Sequence, residues 1–415
     1  MKSFPEMIPF RQRFDAQMLE DVVEETRAQL SVSGIEERIE PGKRIAVTGG
    51  SRGIANIPEI TRTIVDFVRE SGGEPFIIPA MGSHGGATAE GQKGVLASYG
   101  ISAKAMGCAV EATMEVVEIG RLDDDTPVLV NRLAQESGGL IIVNRIKPHT
   151  SFRGVHESGL MKMMTIGLGC HKGATMAHTQ GAQGLSRLIP ELGKAIIAQL
   201  PVLGGIAIVE NAYDQTAKVA ALRAEEFSTR EPKLLAEARL SMPRLFVQGV
   251  DLLIVDEMGK EISGTGMDTN VIGRMMLPGL KEPDEPGVSR IFVRRLSDCT
   301  HGNANGVGLA DVISRQLLDA IDFKATYANA FTSTFLNRAY VPIVKDNDRD
   351  AITAMFEVLR IDDGAQARVA RIRNTLKLEN IQISATLEQE FASHPDLAQT
   401  GEAVAMAFTG DGELI

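Results

Sequence analysis

The sequence predicts an α/β protein: two α/β domains with mainly parallel sheets and an active-site cleft between them. Three observations carry this. A strand, a glycine-rich turn and a helix follow one another twice, at RIAVT (44–48) with GGSRGI and at FIIP (76–79) with GSHGG; that order builds parallel sheets. At 415 residues the chain exceeds what one core holds. A second strand-rich pattern starts afresh at VDLLIVD, 250–256.

Taken in order, Asp15 is expected to cap a helix in which Met18, Leu19, Val22, Val23 and Leu30 recur at helical spacing. The strand at 44–48 empties into its turn, and Pro58 opens a helix carrying Ile60, Ile64, Phe67 and Val68. Gly72 and Gly73 stop it. After the strand at 76–79, Thr88 caps a further helix. GLIIVN (139–144) is a third strand, ending just before Pro148-His149. A helix over 185–200 and a strand over 206–209 follow, then a charged helical connector over 231–244. Beyond 250–256 the pattern predicts strands at 291–294 and 341–344 and helices at 312–321 and 351–359. The run 404–408 reads as a strand returning to the first domain. The expected division is therefore 1–245 with 400–415, against 246–399. No internal repeat or low-complexity tract interrupts it.

Composition narrows the function. A net charge of −11 argues against a nucleic-acid surface, which needs clustered cations. No 18-residue apolar run predicts a membrane span, and MKSFPEMIPFRQRF lacks an apolar signal core, so a cytoplasmic protein is expected. Cys108, Cys170 and Cys299 are scattered, without a CxxC pair, which fits a reduced chain without a disulfide framework or zinc knuckle.

Three segments carry chemistry. VTGGSRGIANI (47–57) looks like a dinucleotide turn, with glycines admitting a pyrophosphate to a helix N-terminus. None of Tyr99, Tyr213, Tyr327 and Tyr340 has a lysine four residues on, so the catalytic pair of short-chain dehydrogenases is missing. A tight turn with no ligand is the plain alternative. In GSHGG, His84 sits between glycines at a strand end, placed either for acid/base work or simply on the surface. The stretch 144–181 holds four of the seven histidines: His149, His156, His171 and His178. Their seven-residue spacings favour no conventional metal site. Because ligands sit beyond the carboxyl ends of parallel strands, Arg52, His84 and His149 are expected on one rim.

Together these segments resemble the nickel-pincer lactate racemase family of 2-hydroxyacid racemases and epimerases. The SR of GGSRGI is similar to the family's T-R-P turn, and GSHGGATAEG to its glycine–histidine loop and helix start. KPHTSF…ESGLMK is similar to its E-P-H-F…S-G-G-R-K segment. Lys162 and His178 lie 16 residues apart, the family's interval between a cofactor-bearing lysine and a nickel-ligating histidine.

The resemblance implies a covalently attached nickel-pincer nucleotide, with Lys162 as tether and His178 as the imidazole ligand. His84 and His149 would be the acid/base pair. Arg52 matches the family's turn arginine as a contact for the substrate carboxylate. DTNVIGR (268–274) resembles a D-Q-N-x-x-Q segment; Met276 falls where the family has a substrate-contacting lysine, and Arg274 is expected to substitute. The implied activity is isomerisation of a small 2-hydroxyacid by reversible hydride transfer, with cofactor-maturation proteins as partners. Neither nucleic acid nor membrane is expected as a partner, and homo-oligomer formation is left open. The rival readings are an NAD(P)-dependent oxidoreductase using the GGSRGI turn and a non-catalytic small-molecule or metal-binding relative. His156, His171 and His301 receive no role.

Overall fold

The computed structural model describes residues 3–415. The chain forms two compact units, Asp15–Met242 and the segment up to Phe14 together with Pro243–Ile415.

The first unit is built on a six-stranded sheet. Its order is Ala109–Val110, Glu74–Pro79, Arg44–Gly49, Gly139–Arg145, Val202–Glu210, Thr216–Arg223. All neighbours run parallel except the last pair. Ile45, Val47, Ile77, Ile141, Val143 and Ile206 face a core closed by Ile60, Ile64 and Val68. These last three come from the helix Ile57–Glu70, which has Pro58 in its first turn, as its sequence predicts. Thr88 caps Ala89–Ser98 by accepting the Gly91 N–H at 3.1 Å. A two-stranded antiparallel ribbon, Val116–Arg121 with Pro127–Asn131, stands apart from the sheet.

The first helix differs from expectation. Asp21 is its cap, accepting from the N–H groups of Val23 and Glu24, and the helix runs Val22–Val32. Asp15 only closes a turn onto Gln17 N, and the Leu19 N–H is spent on Thr216 O. Asp21 wins because two acidic residues follow it in the first turn, where they complement the helix dipole.

The second unit contains a nine-stranded sheet. Ile343–Lys345, Val312–Ser314, Val288–Leu296, Val250–Met258 and Val369–Ile372 run parallel. Asn380–Ser384, Glu6–Gln12, Leu397–Gln399 and Val404–Ala405 add antiparallel pairs.

Two sequence expectations are corrected here. The closing strand Val404–Ala405 pairs with Met7 and Glu6, so it stays with the second unit, and the N-terminal strand joins it there. Ile8 and Phe10 bury their side chains in that unit's core, which fixes the strand's location. The predicted helix over 312–321 is instead a strand followed by the short helix Arg315–Asp319. Val312 and Ile313 are buried against opposite faces of a parallel sheet, where periodicity cannot tell strand from helix.

Candidate active site

Three loops leave the carboxyl ends of neighbouring parallel strands in the first unit: 50–56, 80–88 and 146–158. The Ser51 hydroxyl ties the first two together by bonding His84 Nδ1, and Tyr99 Oη donates to Ser51 O at 3.1 Å. Gln92, itself buried, donates to Gly82 O at 2.9 Å and His84 O at 3.3 Å, setting the glycine–histidine loop. His84 and Arg52 remain exposed on this rim.

The third loop is pinched shut by reciprocal backbone bonds between Lys147 and Ser158, at 3.0 and 3.1 Å. Inside it, the fully buried Glu157 accepts His149 N at 2.6 Å and Gly154 N at 3.3 Å, and pairs with Arg239. The His149 ring lies on Phe152, centroids 4.3 Å apart, and its Nδ1 accepts the Ser151 N–H at 3.0 Å. A neutral ring held this way carries its proton on Nε2.

Lys162 ends a single α-helical turn, Leu160–Lys162, and is followed by a π-helical stretch, Met163–Gly167. Such bulges concentrate at functional sites. After it the backbone turns at Cys170, with φ of 51°, into the helix Cys170–His178. Gly167 lets the π stretch press on the strand end, because a Cβ there would lie 2.5 Å from Ala80 O. On the other side Met163 Cε would be 3.1 Å from a Cβ on Gly50.

Electrostatics bind these pieces into one site. Burial first, then the positive charge of Arg52, brings the Lys162 amine down to about 8, with Glu157 opposing. Burial, then the charge of Lys162, holds His178 at about 4. His149 is driven well below its ordinary value by burial and then by Lys162, His178, Arg153 and Arg52. Arg52, His149, Lys162 and His178 thus share one field, and His84 joins through Ser51. At neutral pH the two coupled histidines are neutral imidazoles, the form that ligates metals or exchanges protons.

Arg274 lies in the second unit, and its guanidinium is partly committed. It bonds Asp311 at 2.6 Å and the carbonyls of Leu309 and Ser289 at 3.0 Å. Three of its five N–H donors are spent on these partners, and Nε–H and one Nη2–H are outside this set. His171 is exposed, and His301 sits in an exposed turn of the second unit.

Sequence reasoning missed the support behind the site. His156 Nδ1 meets Glu231 Oε1 at 3.1 Å, both buried, and Glu231 Oε2 accepts Met161 N at 3.0 Å, one residue before the lysine. Glu231 belongs to the helix Phe227–Ser241, which read as a charged connector. Glu231→Ala would strand a buried imidazole and a buried N–H. It is expected to lower stability by about 2–3 kcal/mol in urea unfolding; an unchanged midpoint would exclude this role.

The lactate racemase N-terminal domain, as a family, matches residues 17–184, which hold Arg52, His84, His149, Lys162 and His178. The match takes in 168 of the 415 residues, so the similarity to the lactate racemase N-terminal domain is one of the first unit. That similarity supports a racemase-type function. Its fold is similar to that of the lactate racemase apoprotein from Thermoanaerobacterium thermosaccharolyticum, with a TM-score of 0.52 and 12% identity over 89% of this chain and 98% of that one. A comparison with curated proteins finds no match. Among the described residues, no helix is long and apolar enough to cross a membrane.

Proposed function

We propose that this racemase-like protein is a 2-hydroxyacid racemase or epimerase that works by reversible hydride transfer, with a nickel-pincer nucleotide tethered to Lys162. The observation carrying this reading is that Lys162, half-buried at the end of its helical turn, shares one field with the half-buried, neutral His178 at the end of the next helix.

The donor set fits such a group. With its pKa at about 8, Lys162 is a free amine in about one molecule in ten at pH 7; an ordinary lysine reaches only a few in ten thousand. A free amine is the form that becomes an amide nitrogen. His178 offers a neutral imidazole, a donor suited to nickel. Among the described residues no three His, Cys, Asp or Glu side chains gather to hold a metal. A metal on His178 would therefore draw its remaining donors from the nucleotide. When bound, the group would supply reversible acceptance and return of hydride at C2 of the substrate.

The chain's own residues do the rest. Arg52 offers two parallel N–H bonds to the substrate carboxylate. Nδ1 is occupied in both histidines, by Ser151 N–H in His149 and by Ser51 in His84, so Nε2 is the atom each would turn to the hydroxyl oxygen. His149 starts with a proton on Nε2. The Ser51 hydroxyl both donates and accepts, so His84 takes either tautomer. One donor and one acceptor are then available together, as interconversion of two enantiomers requires. Gly49 and Gly50 of the GGSRGI turn are accounted for by close packing on Leu96 and Met163, while a Cβ on Gly53 would meet Tyr99 at an ordinary 3.7 Å. Nothing in that turn favours the dinucleotide alternative.

The test is intact-protein mass spectrometry with metal analysis, on protein co-expressed with cofactor-maturation proteins. An adduct of several hundred daltons on Lys162 and one nickel per chain are expected. Absence of both, or turnover that requires added NAD(P), overturns the reading.

A further inference from the structure

The sheet of the second unit reverses its strand order beside Val250–Met258. From that strand the chain moves outward through Val288–Leu296, Val312–Ser314 and Ile343–Lys345, then returns as Val369–Ile372 on the other side of it. In open parallel sheets, the crevice beyond the carboxyl ends at such a reversal is where ligands bind. A cavity of about 500 Å³ lies there. Its lining comes from the carboxyl ends of the three central strands. Asp256 and Glu257 stand on one, Arg294 and Arg295 on the next, and Arg371 and Arg373 at and just past the end of the third.

Some of these charges are spent on one another. Asp256 accepts Arg294 Nη1 at 2.8 Å and Arg371 Nε at 3.0 Å. Arg294 also donates to Asp348 and to Leu414 O, both at 2.7 Å, and Arg371 Nη1 to Ile415 O at 2.9 Å. The others are unspent. Arg373 is exposed, and its guanidinium makes no hydrogen bond or ion pair among the described residues. Arg295 meets only Glu413, at 3.8 Å, too long for a hydrogen bond. The Glu257 carboxylate has no partner either, although the strand register sets it across from Arg295 and its N–H donates to Arg373 O at 2.9 Å. Two cations and one carboxylate therefore face the cavity with their hydrogen-bonding capacity open.

We propose that this crevice binds a phosphorylated sugar or polyol, with Arg295 and Arg373 on the phosphate and the Glu257 carboxylate accepting the hydroxyl groups. Two open guanidinium groups match the charge of a phosphate monoester, and their planar forks match its oxygens. A carboxylate beside an anion is unfavourable unless the ligand also brings donors, and hydroxyl groups are such donors. Volume points the same way: about 500 Å³ is ordinary for a small-molecule site and far more than one phosphate group fills. Six charged side chains in the lining exclude an apolar ligand.

The experiment uses the full chain made without maturation proteins, so it needs no part of the racemase reading. Glucose 6-phosphate, inorganic phosphate and glucose are titrated by calorimetry and thermal shift, at low salt in a phosphate-free buffer. Glucose 6-phosphate is expected to bind and raise Tm, phosphate to bind more weakly, and glucose to do nothing. Arg373→Met and Arg295→Met are each expected to weaken glucose 6-phosphate binding at least ~10-fold. Both side chains are exposed and without a hydrogen bond, so both variants keep the fold. Lys281→Met removes an exposed cation of the same unit outside the cavity, and should leave binding unchanged. Glu257→Ala is expected to tighten phosphate and to erase the advantage of glucose 6-phosphate over it.

No binding of glucose 6-phosphate by the wild type, or unweakened binding in either arginine variant, overturns the proposal. So does an equal loss in Lys281→Met, which would mark general attraction of anions to the surface. Phosphate bound as tightly as glucose 6-phosphate would mark a site for the bare anion and overturn the ester assignment. An advantage kept in Glu257→Ala removes Glu257 from the hydroxyl contact. A negative result leaves the Lys162 adduct untouched, and an absent adduct leaves glucose 6-phosphate binding untouched.

Discussion

Lys162→Ala is expected to abolish racemisation, nickel retention and the mass adduct together, while the protein stays folded. Without the amine there is no tether, and His178 alone is one donor, too few to keep a metal through purification. The companion variant Lys162→Met isolates the physical cost of that amine. In the folded protein its pKa is about 8, against 10.5 ordinarily. Below pH 8 both states are protonated and the folded state carries the full burial penalty. Between pH 8 and 10.5 the unfolded chain binds more protons, so wild-type stability rises with pH. Lys162→Met should therefore make the unloaded protein more stable at pH 7, by about 2–3 kcal/mol. The gain should fade as the pH approaches 10.5. Denaturant unfolding at pH 7 and pH 10 measures it. A variant less stable than wild type at pH 7 would show that the lysine is structural.

His149→Ala and His84→Ala are each expected to slow turnover by at least ~10²-fold, the usual worth of a positioned acid or base. The pKa of His149 lies well below its ordinary value, so the unloaded resting site holds it neutral across the physiological range. Acidification to pH 6 should not protonate it. A loss of rate between pH 7 and 6 would therefore not come from His149, and should survive in His149→Ala. Near-normal rates in either variant, with nickel still bound, would remove that histidine from the proton transfer.

The first unit was legible because its signals are local. Pro58 and Thr88 announce the two helices from within a few residues, and glycine loops mark the strand ends where Arg52, His84 and His149 emerge. Antiparallel strands such as Asn380–Ser384 and Glu6–Gln12 were not legible, because each is defined by a partner hundreds of residues away. The same holds at the site. Glu231 supports His156 from 75 residues further on, and a glutamate in a charged helix looks alike whether it faces water or a buried imidazole. Arg274 and Arg338 are the sharpest case. Both are plain arginines in the sequence; Arg274 is hydrogen-bonded to Asp311, while the guanidinium of the buried Arg338 makes no hydrogen bond among the described residues. The 16-residue interval from Lys162 to His178 was informative for a reason the sequence hides. Along one straight α-helix, residues that far apart would point about 160° away from each other.

The π-helical stretch Met163–Gly167 has a consequence for editing the chain. A π turn is an α turn with one residue too many, so its removal is a one-residue deletion. Deleting a single residue there would restore regular winding and rotate Lys162 by about 100° about the axis relative to the residues that follow, while removing none of the candidate site's side chains. Such a deletion mutant would be a chemically complete but mis-phased enzyme, with its two cofactor residues dialled out of step. The spare residue acts as a clock setting, and shifting it by one tick is a cleaner knockout than any substitution.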